Sequence, residues 1–180
     1  IGQYHNSSNV TITQKASGEQ VENYASISAR KFSSVSILQE VTGTQSKNTT
    51  SVSDEGQENE GNQKDVTQTI QGDQSNNSAK IYQRYQLVGI PFISSKNNSA
   101  IVTQTINGNN SNNDVAVDQH YGTSESNSAE VMQTAGNNGD NSAEILQGNT
   151  NNSTTLNQEA TGSSLSKNEI KVYQYQIGAN

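Results

Sequence analysis

The stretch at residues 127–147 reads NSAEVMQ-TAGNNGD-NSAEILQ and contains one heptapeptide twice, with a Gly/Asn/Asp-rich run between the copies. The shared pattern is Asn-x-Ala-x-(Ile/Val)-x-Gln. Its positions one, three, five and seven share a face only when the backbone is extended and side chains alternate with a period of two. The run between the copies is typical of tight turns, because Gly, Asn and Asp tolerate left-handed backbone conformations. The stretch therefore predicts a strand, a turn and a second strand.

The same pattern recurs over almost the whole chain. Asn-Ser-Ala begins at Asn77, Asn98, Asn127 and Asn141, each time with Gln six residues later. Looser copies start at Ser8, Asn23, Ser33, Asn48, Asn62, Asn113, Asn152 and Asn168. Position five is aliphatic in all twelve segments: Ile12, Ile27, Ile37, Val52, Val66, Ile81, Val102, Val117, Val131, Ile145, Leu156 and Val172. We predict that these twelve side chains form the inward core of twelve short strands.

Positions one and seven frame this core with amides. Position one is Asn in ten segments and position seven is Gln in ten, with Ala29 and Asp54 as the exceptions. Position three departs from small or aliphatic residues at Thr50, Lys64 and Thr154. In-register stacking would let each amide bond to its copy on the next strand. We predict such an assembly ladder at Asn77, Gln83, Asn98, Gln104, Asn113, Gln119, Asn127, Gln133, Asn141, Gln147, Asn152, Gln158, Asn168 and Gln174.

The composition excludes an ordinary globular core. Only 28% of the 180 residues are hydrophobic, and the mean hydropathy is −0.85. A sandwich core needs large side chains on both inner faces, whereas here one branched aliphatic lies between amides. We therefore predict an all-β fold, a β-solenoid of stacked strand–turn–strand rungs with two facing, parallel, in-register sheets. Twelve strands give about six rungs of cross-β type, or roughly 29 Å at about 4.8 Å per rung.

The repeat array is expected to span residues 8–176, between an N-terminal segment at 1–7 and a C-terminal tail at 177–180. An insertion near 84–97 contains the apolar run 87–93, which we interpret as a loop folded over the solenoid, with a lateral contact between fibrils as the alternative. The acidic cluster of Asp54, Glu55, Glu58 and Glu60 is interpreted as a solvated loop in which Asp54 slows aggregation.

Enzymatic and nucleic-acid functions find no support in the sequence. Catalytic, metal-binding and cofactor-binding motifs are missing from the chain, and it contains no cysteine. The net charge of −7 argues against nucleic acid and anionic membrane surfaces as partners. Since no apolar stretch approaches about 18 residues, we expect no membrane insertion. These features favour a structural protein and not an enzyme.

The outermost segments resemble the others, and neither looks like a cap. Soluble solenoids cover their ends with atypical polar repeats, so we expect both ends to accept a further subunit and the chain to assemble with itself. The candidate terminal interface comprises Val10, Ile12, Gln14, Ile170, Val172 and Gln174. Because the first residue is Ile1, we also expect that a signal peptide has been removed and that the protein is secreted.

The Asn-x-Ala-x-x-x-Gln strands, alternating with Ser-x-x-x-x-x-Gln as at Ser8–Gln14 and Ser33–Gln39, resemble the curlin repeat of bacterial curli. This resemblance implies a secreted fibre subunit of functional amyloid, exported unfolded through an outer-membrane pore and nucleated at the cell surface by a dedicated subunit. Longer turns and less regular glycines mark it as divergent. The alternative is a monomeric β-solenoid adhesin or another surface-binding module.

Overall fold

The computed structural model describes residues 8–29, 33–54, 59–83, 94–119, 123–148, 151–161 and 166–175. Every regular element in these ranges is a β-strand. The strands are β1 Ser8–Ser17, β2 Glu22–Ala29, β3 Ser33–Thr42, β4 Lys47–Asp54, β5 Asn59–Glu60, β6 Gln63–Gln71, β7 Asn76–Gln83, β8 Ser94–Lys96, β9 Ser99–Ile106, β10 Asn112–Gln119, β11 Thr123–Glu125, β12 Ser128–Ala135, β13 Asp140–Gly148, β14 Ser153–Ala160 and β15 Lys167–Tyr175.

The twelve long strands form two parallel sheets, between which the chain alternates. The first, here the β1 sheet, has the order β1-β3-β6-β9-β12-β14, and the second, the β2 sheet, has the order β2-β4-β7-β10-β13-β15. Pairing is in register throughout, so that Ile12 pairs with Ile37 and Val117 with Ile145. The predicted β-solenoid of two facing, parallel, in-register sheets is confirmed.

The core lies between the two sheets. Side chains alternate along each strand, and the inward ones are buried while the outward ones are not, as in the strand Lys47–Asp54. Valine and isoleucine at position five suit this surface because branched side chains pack well on a pleated sheet. The buried cluster is thin, with an alanine or valine beside most of the position-five aliphatics. Polar amides must therefore complete the interior.

The arcs that lead from the β1 sheet to the β2 sheet have a repeated backbone geometry. The five arcs that lead into β2, β4, β7, β10 and β13 each contain one residue with a left-handed φ close to 55°, three residues before position one: Gln20, Gln45, Gln74, Asn110 and Asn138. A column of stacked glycines precedes these residues. A Cβ on Gly72 would lie 2.0 Å from the backbone oxygen of Gly43, and one on Gly108 would lie 1.9 Å from that of Gly72. Close stacking of the arcs therefore requires glycine at this place.

A second apolar row, which the heptapeptide pattern did not predict, lies beyond position seven in the β1 sheet. It contains buried Val41, Ile70 and Ile106, with Ala16 and Val21 packed against them. These side chains fill the space under the arcs, where the chain turns from one sheet into the other. The strands of the β1 sheet are consequently more apolar than their amide-framed repeat suggests.

One interpretation of the connecting segments concerns residues that are mostly not described, and another needs correction. Residues 84–93, including the apolar run, lie outside the described residues, but Ser94–Lys96 of the predicted insertion is strand β8. It pairs in parallel with β11 and β5 to form a third, short sheet. The predicted solvated acidic cluster is also wrong for Asp54, which belongs to β4 and is fully buried. Glu55 and Glu58 lie outside the described residues.

Candidate assembly interface

Position seven of the β1 sheet forms a continuous glutamine ladder. Each Nε2 donates to the Oε1 of the preceding glutamine at 2.7–3.0 Å, through Gln14, Gln39, Gln68, Gln104, Gln133 and Gln158. Each Nε2 also donates to a backbone carbonyl of the facing strand, as from Gln133 to Ser142 at 2.9 Å. Both amide hydrogens are thereby used, which removes the cost of burying them.

The β2 sheet has a shorter glutamine ladder at the same position. Gln119 donates to Gln83 at 2.7 Å, Gln147 to Gln119 at 3.0 Å and Gln174 to Gln147 at 3.3 Å. In the two strands before Gln83, the corresponding residues are Asp54 and Ala29. The ladder therefore covers only the C-terminal part of this sheet.

Position one of the β2 sheet forms an asparagine ladder that points the other way. Each Nδ2 donates to the Oδ1 of the following asparagine at 2.9–3.1 Å, through Asn23, Asn48, Asn77, Asn113, Asn141 and Asn168. The same Nδ2 group also donates to a backbone carbonyl just before an arc, as from Asn113 to Thr134 at 2.8 Å. The ladder thus links the asparagines of the β2 sheet to the ends of the β1-sheet strands, where the arcs begin.

In the β1 sheet, position one of β6, β9, β12 and β14 is an asparagine just before the strand, and these amides bond differently. The Oδ1 atoms of Asn98, Asn127 and Asn152 accept hydrogen bonds from the backbone N–H of the preceding asparagine in the stack, at 3.0–3.1 Å. The structure therefore brings the fourteen residues of the predicted amide ladder into three side-chain ladders and a fourth in which backbone N–H groups donate to side-chain oxygens, with one added side-chain bond from Asn98 Nδ2 to Asn127 Oδ1 at 3.1 Å.

The position-five aliphatics form two facing columns, one in each sheet. The inner members of the columns are fully buried: Ile37, Val52, Val66, Ile81, Val102, Val117, Val131 and Ile145. Three of the four outermost members differ, since Ile12 and Leu156 are only partly buried and Val172 is 40% exposed, whereas Ile27 on β2 is only 2% exposed. Burial of the two columns is therefore incomplete at β1, β14 and β15 but complete at β2.

The predicted terminal residues lie on the outermost strands. On β1, Val10 is buried, and Ile12 and Gln14 are half-buried. On β15, Ile170 is 49% exposed and Gln174 is also exposed. Each of β1, β2, β14 and β15 has one hydrogen-bonded neighbour in its long sheet. In the described part of the chain, these four strands form the two end faces of the stack.

The acceptor that terminates the glutamine ladder is unused. Gln158 Oε1 is buried and has no hydrogen-bond partner among the described residues, although the equivalent oxygen of every earlier glutamine accepts from the next strand.

On β15, the ammonium groups of Lys167 and Lys171 lie 2.6 Å from the Glu169 carboxylate and lower its pKa to about 2. This end face therefore carries both an open acceptor and fixed charges.

A buried ion pair interrupts the otherwise neutral interior. Lys64 Nζ lies 2.8 Å from Asp54 Oδ2, and neither side chain is exposed. Burial lowers the pKa of the Lys64 ammonium, and the neighbouring Asp54 carboxylate opposes that shift. In the sequence these residues are only two separate departures from the repeat. The signal was available, because the two exceptions carry opposite charges.

Facing strands run in opposite directions, so position three of one strand lies against position seven of the facing strand. This contact explains why position three is polar at Thr50, Thr154 and Lys64. Thr50 Oγ1 donates to Gln39 Oε1 at 3.0 Å, and Thr154 Oγ1 donates to Gln147 Oε1 at 2.7 Å. In both cases position three of one sheet faces position seven of the other. Lys64 and Asp54 occupy the same two positions, so that their pairing is the charged version of this contact.

A ligand pocket, a metal site and a membrane span would each require particular features in the described part of the chain. A surface depression of about 390 Å³ beside the arcs is lined in part by Asp73, Asn109 and Asn137. Asp73 accepts hydrogen bonds from the backbone and side chain of Asn109 at 2.6 and 3.2 Å. Within the described ranges, no group of three His, Cys, Asp or Glu side chains could hold a metal ion, and no helix could cross a membrane.

Comparison of the chain with protein-family models, with curated proteins and with solved structures found no match.

Proposed function

We propose that the chain is the structural subunit of an extracellular, curli-like fibre that grows by stacking strands on the open end faces of the solenoid. The observation that carries this proposal is the contrast along one column of the core. Ile145 is fully buried, whereas Val172, its partner on the outermost strand, is 40% exposed. A further strand in register would cover Val172 as completely as β15 covers Ile145.

Hydrogen bonding favours the same process. Asn and Gln side chains pair most effectively with identical side chains one strand away. Among the described residues, the end strands have a sheet neighbour on one side only, and unpaired backbone groups are templates for strand addition. An incoming chain would gain backbone bonds, amide bonds and aliphatic burial together, so that growth is templated.

The cellular setting forms part of the proposal. Its support is the resemblance of the repeats to curlin, which implies a secreted protein that contributes to a biofilm matrix and to adhesion. The partners expected on this basis are further copies of the chain, a nucleator subunit and an outer-membrane secretion pore. Neither nucleic acid nor a membrane interior is expected as a partner.

Seeded assembly tests the proposal. Purified chain at neutral pH should assemble after a lag phase that preformed fibres abolish, and aligned fibres should diffract at about 4.7 and 10 Å. A chain that remains folded and monomeric at high concentration, with neither seeding nor these reflections, would overturn the fibre and favour the monomeric adhesin. Analytical ultracentrifugation of freshly diluted protein provides the comparison.

A further inference from the structure

We infer that the fibre junction joins unlike ends of two copies, with β1 of one copy on β14 of the other and β2 on β15, and that two ion pairs fix this register: Lys15 with Glu159 and Glu22 with Lys167. This inference rests on the proposed fibre function and adds the polarity and alignment of the subunits.

The register follows from the pairing inside the chain. Strands of the β1 sheet align residue for residue, as in the pairing of Ser8 with Ser33 and of Ser128 with Ser153. Continuing the same alignment from β14 into β1 of a second copy places Leu156 beside Ile12 and Gln158 beside Gln14. The unused Gln158 Oε1 then meets the donor that extends its ladder. Gln14 Nε2 also donates to Tyr24 O at 2.9 Å, like the inner glutamines that bond to a facing carbonyl.

The first charged column lies on the outer face of the β1 sheet, one residue after position seven. It contains, in stacking order, Lys15, Glu40, Thr69, Thr105, Thr134 and Glu159. Lys15 Nζ lies 2.6 Å from Glu40 Oε2, whereas the in-chain neighbour of Glu159 is the neutral Thr134. In the inferred junction Glu159 lies beside Lys15 of the next copy, so that this column alternates in charge across the boundary.

The second column lies on the outer face of the β2 sheet, one residue before position one. It contains Glu22, Lys47, Asn76, Asn112, Asp140 and Lys167. Glu22 Oε1 lies 3.6 Å from Lys47 Nζ, and both side chains are about half exposed. The same junction places Lys167 beside Glu22 of the next copy. Both columns are therefore charged on the outer strands and neutral in the middle, with opposite signs meeting at the boundary.

Joining like ends would lose these matches. A contact between two identical end faces follows a two-fold axis, which sets the neighbouring strands antiparallel. The asparagines at position one of one copy would then face position seven of the other copy. Glu159 would approach Glu159 of the other copy. One position does not benefit from the inferred junction, since Gln174 would stack on Ala29. The end-strand charges thus select the orientation and the alignment more than they strengthen the contact.

Charge reversal at the boundary tests the electrostatic part of the inference. Glu159→Lys should slow elongation of like seeds by about 3- to 10-fold at low salt, because the introduced ammonium would meet no in-chain cation but would face Lys15 of the next copy. Lys15→Glu with Glu40→Lys preserves the in-chain pair and should slow elongation similarly. Combining all three changes should restore the rate. Glu130→Lys on β12 is the matched control for net charge and should have little effect.

Screening and cross-linking complete the experiment. The differences should vanish near 1 M NaCl, where the Debye length is about 3 Å. Because the chain lacks cysteine, Lys15→Cys and Glu159→Cys chains can be mixed, assembled and oxidised. In-register neighbours about 4.8 Å apart permit a disulfide, so the mixture should give dimers joined through positions 15 and 159, and neither chain alone should.

The outcomes separate the two proposals. Fibres that form normally but show no effect of Glu159→Lys and no mixed cross-link would overturn the junction and leave the fibre function standing. Self-cross-linking of the Lys15→Cys chain would show that like ends meet. Failure of the unsubstituted chain to assemble would overturn both proposals.

Discussion

Lys64 Nζ lies 2.8 Å from Asp54 Oδ2 in the interior of the solenoid, and both side chains are fully buried. The two residues replace the small side chain and the glutamine that the repeat places there. A buried pair of this kind contributes little net stability, since desolvation offsets the attraction, but it penalises any arrangement that separates the charges. Among many similar strands, it distinguishes the β4–β6 contact from the others.

Removing one partner should destabilise the fold strongly. Lys64→Ala leaves the Asp54 carboxylate buried without a cation, and we expect a loss of about 3–5 kcal/mol in the free energy of unfolding. Lys64→Ala combined with Asp54→Gln restores the repeat consensus and should lie within about 1 kcal/mol of the parent or above it. Guanidinium unfolding of the folded chain measures both. A double variant whose free energy of unfolding is as low as that of the single variant would contradict this explanation.

The stability of an Asp54→Gln variant should depend on pH. Burial already lowers the pKa of Lys64, and removing Asp54 removes the opposing pull. The folded-state pKa then lies below the unfolded value, so the unfolded chain binds more protons between the two values and stability rises with pH through that window. Unfolding midpoints measured from pH 7 to 10 should increase for this variant relative to Asp54→Gln/Lys64→Ala. Parallel curves would contradict the assignment.

The glutamine ladder should be intolerant of charge. Gln133 donates to Gln104 and to Ser142 O and accepts from Gln158, so Gln133→Asp removes two donors and buries an anion. We expect a loss of about 3 kcal/mol or more and much slower seeded assembly. Glu130→Ser, on the outer face of the same strand, is the control. Equal effects at both positions would mean that the inward and outward faces are misassigned.

The glycine column should be sensitive to a single methyl group. Gly72→Ala places a Cβ against the backbone of Gly43, and we expect about 3 kcal/mol of destabilisation because a stacked backbone cannot move aside. Gly61→Asn is the matched control, since a Cβ there meets nothing within 4 Å and Asn97 and Asn151 have the same left-handed φ in equivalent turns. Thermal unfolding that ranks the two variants in the opposite order would refute this explanation.

The sequence predicted the strands and their alignment well because each carries an aliphatic residue between two amides at a period of two. It did not predict the row containing Ile70 and Ile106, since that row lies outside the heptapeptide and occurs in alternate segments. The glycines of the arcs follow the same alternation, ten residues after position one at Gly43, Gly72 and Gly108. If the repeat is defined over two successive strands and not over one, both the second apolar row and the column of arc glycines become regular.

The buried ion pair required information that the one-strand repeat lacks. Lys64 departs from the pattern at position three and Asp54 at position seven, so a comparison of equivalent positions never matches them. Their contact follows only once facing strands are known to run in opposite directions, which brings position three against position seven. Burial of both side chains then explains two exceptions that had looked independent.

Helical reconstruction of the assembled fibre by cryo-EM tests the central claim most directly. The account predicts an uninterrupted two-sheet solenoid with rungs about 4.8 Å apart and one subunit roughly every 29 Å along the axis. At each boundary, β14 and β15 of one copy should contact β1 and β2 of the next. Fibres whose subunits meet through another surface, or whose strands pair out of this register, would contradict it.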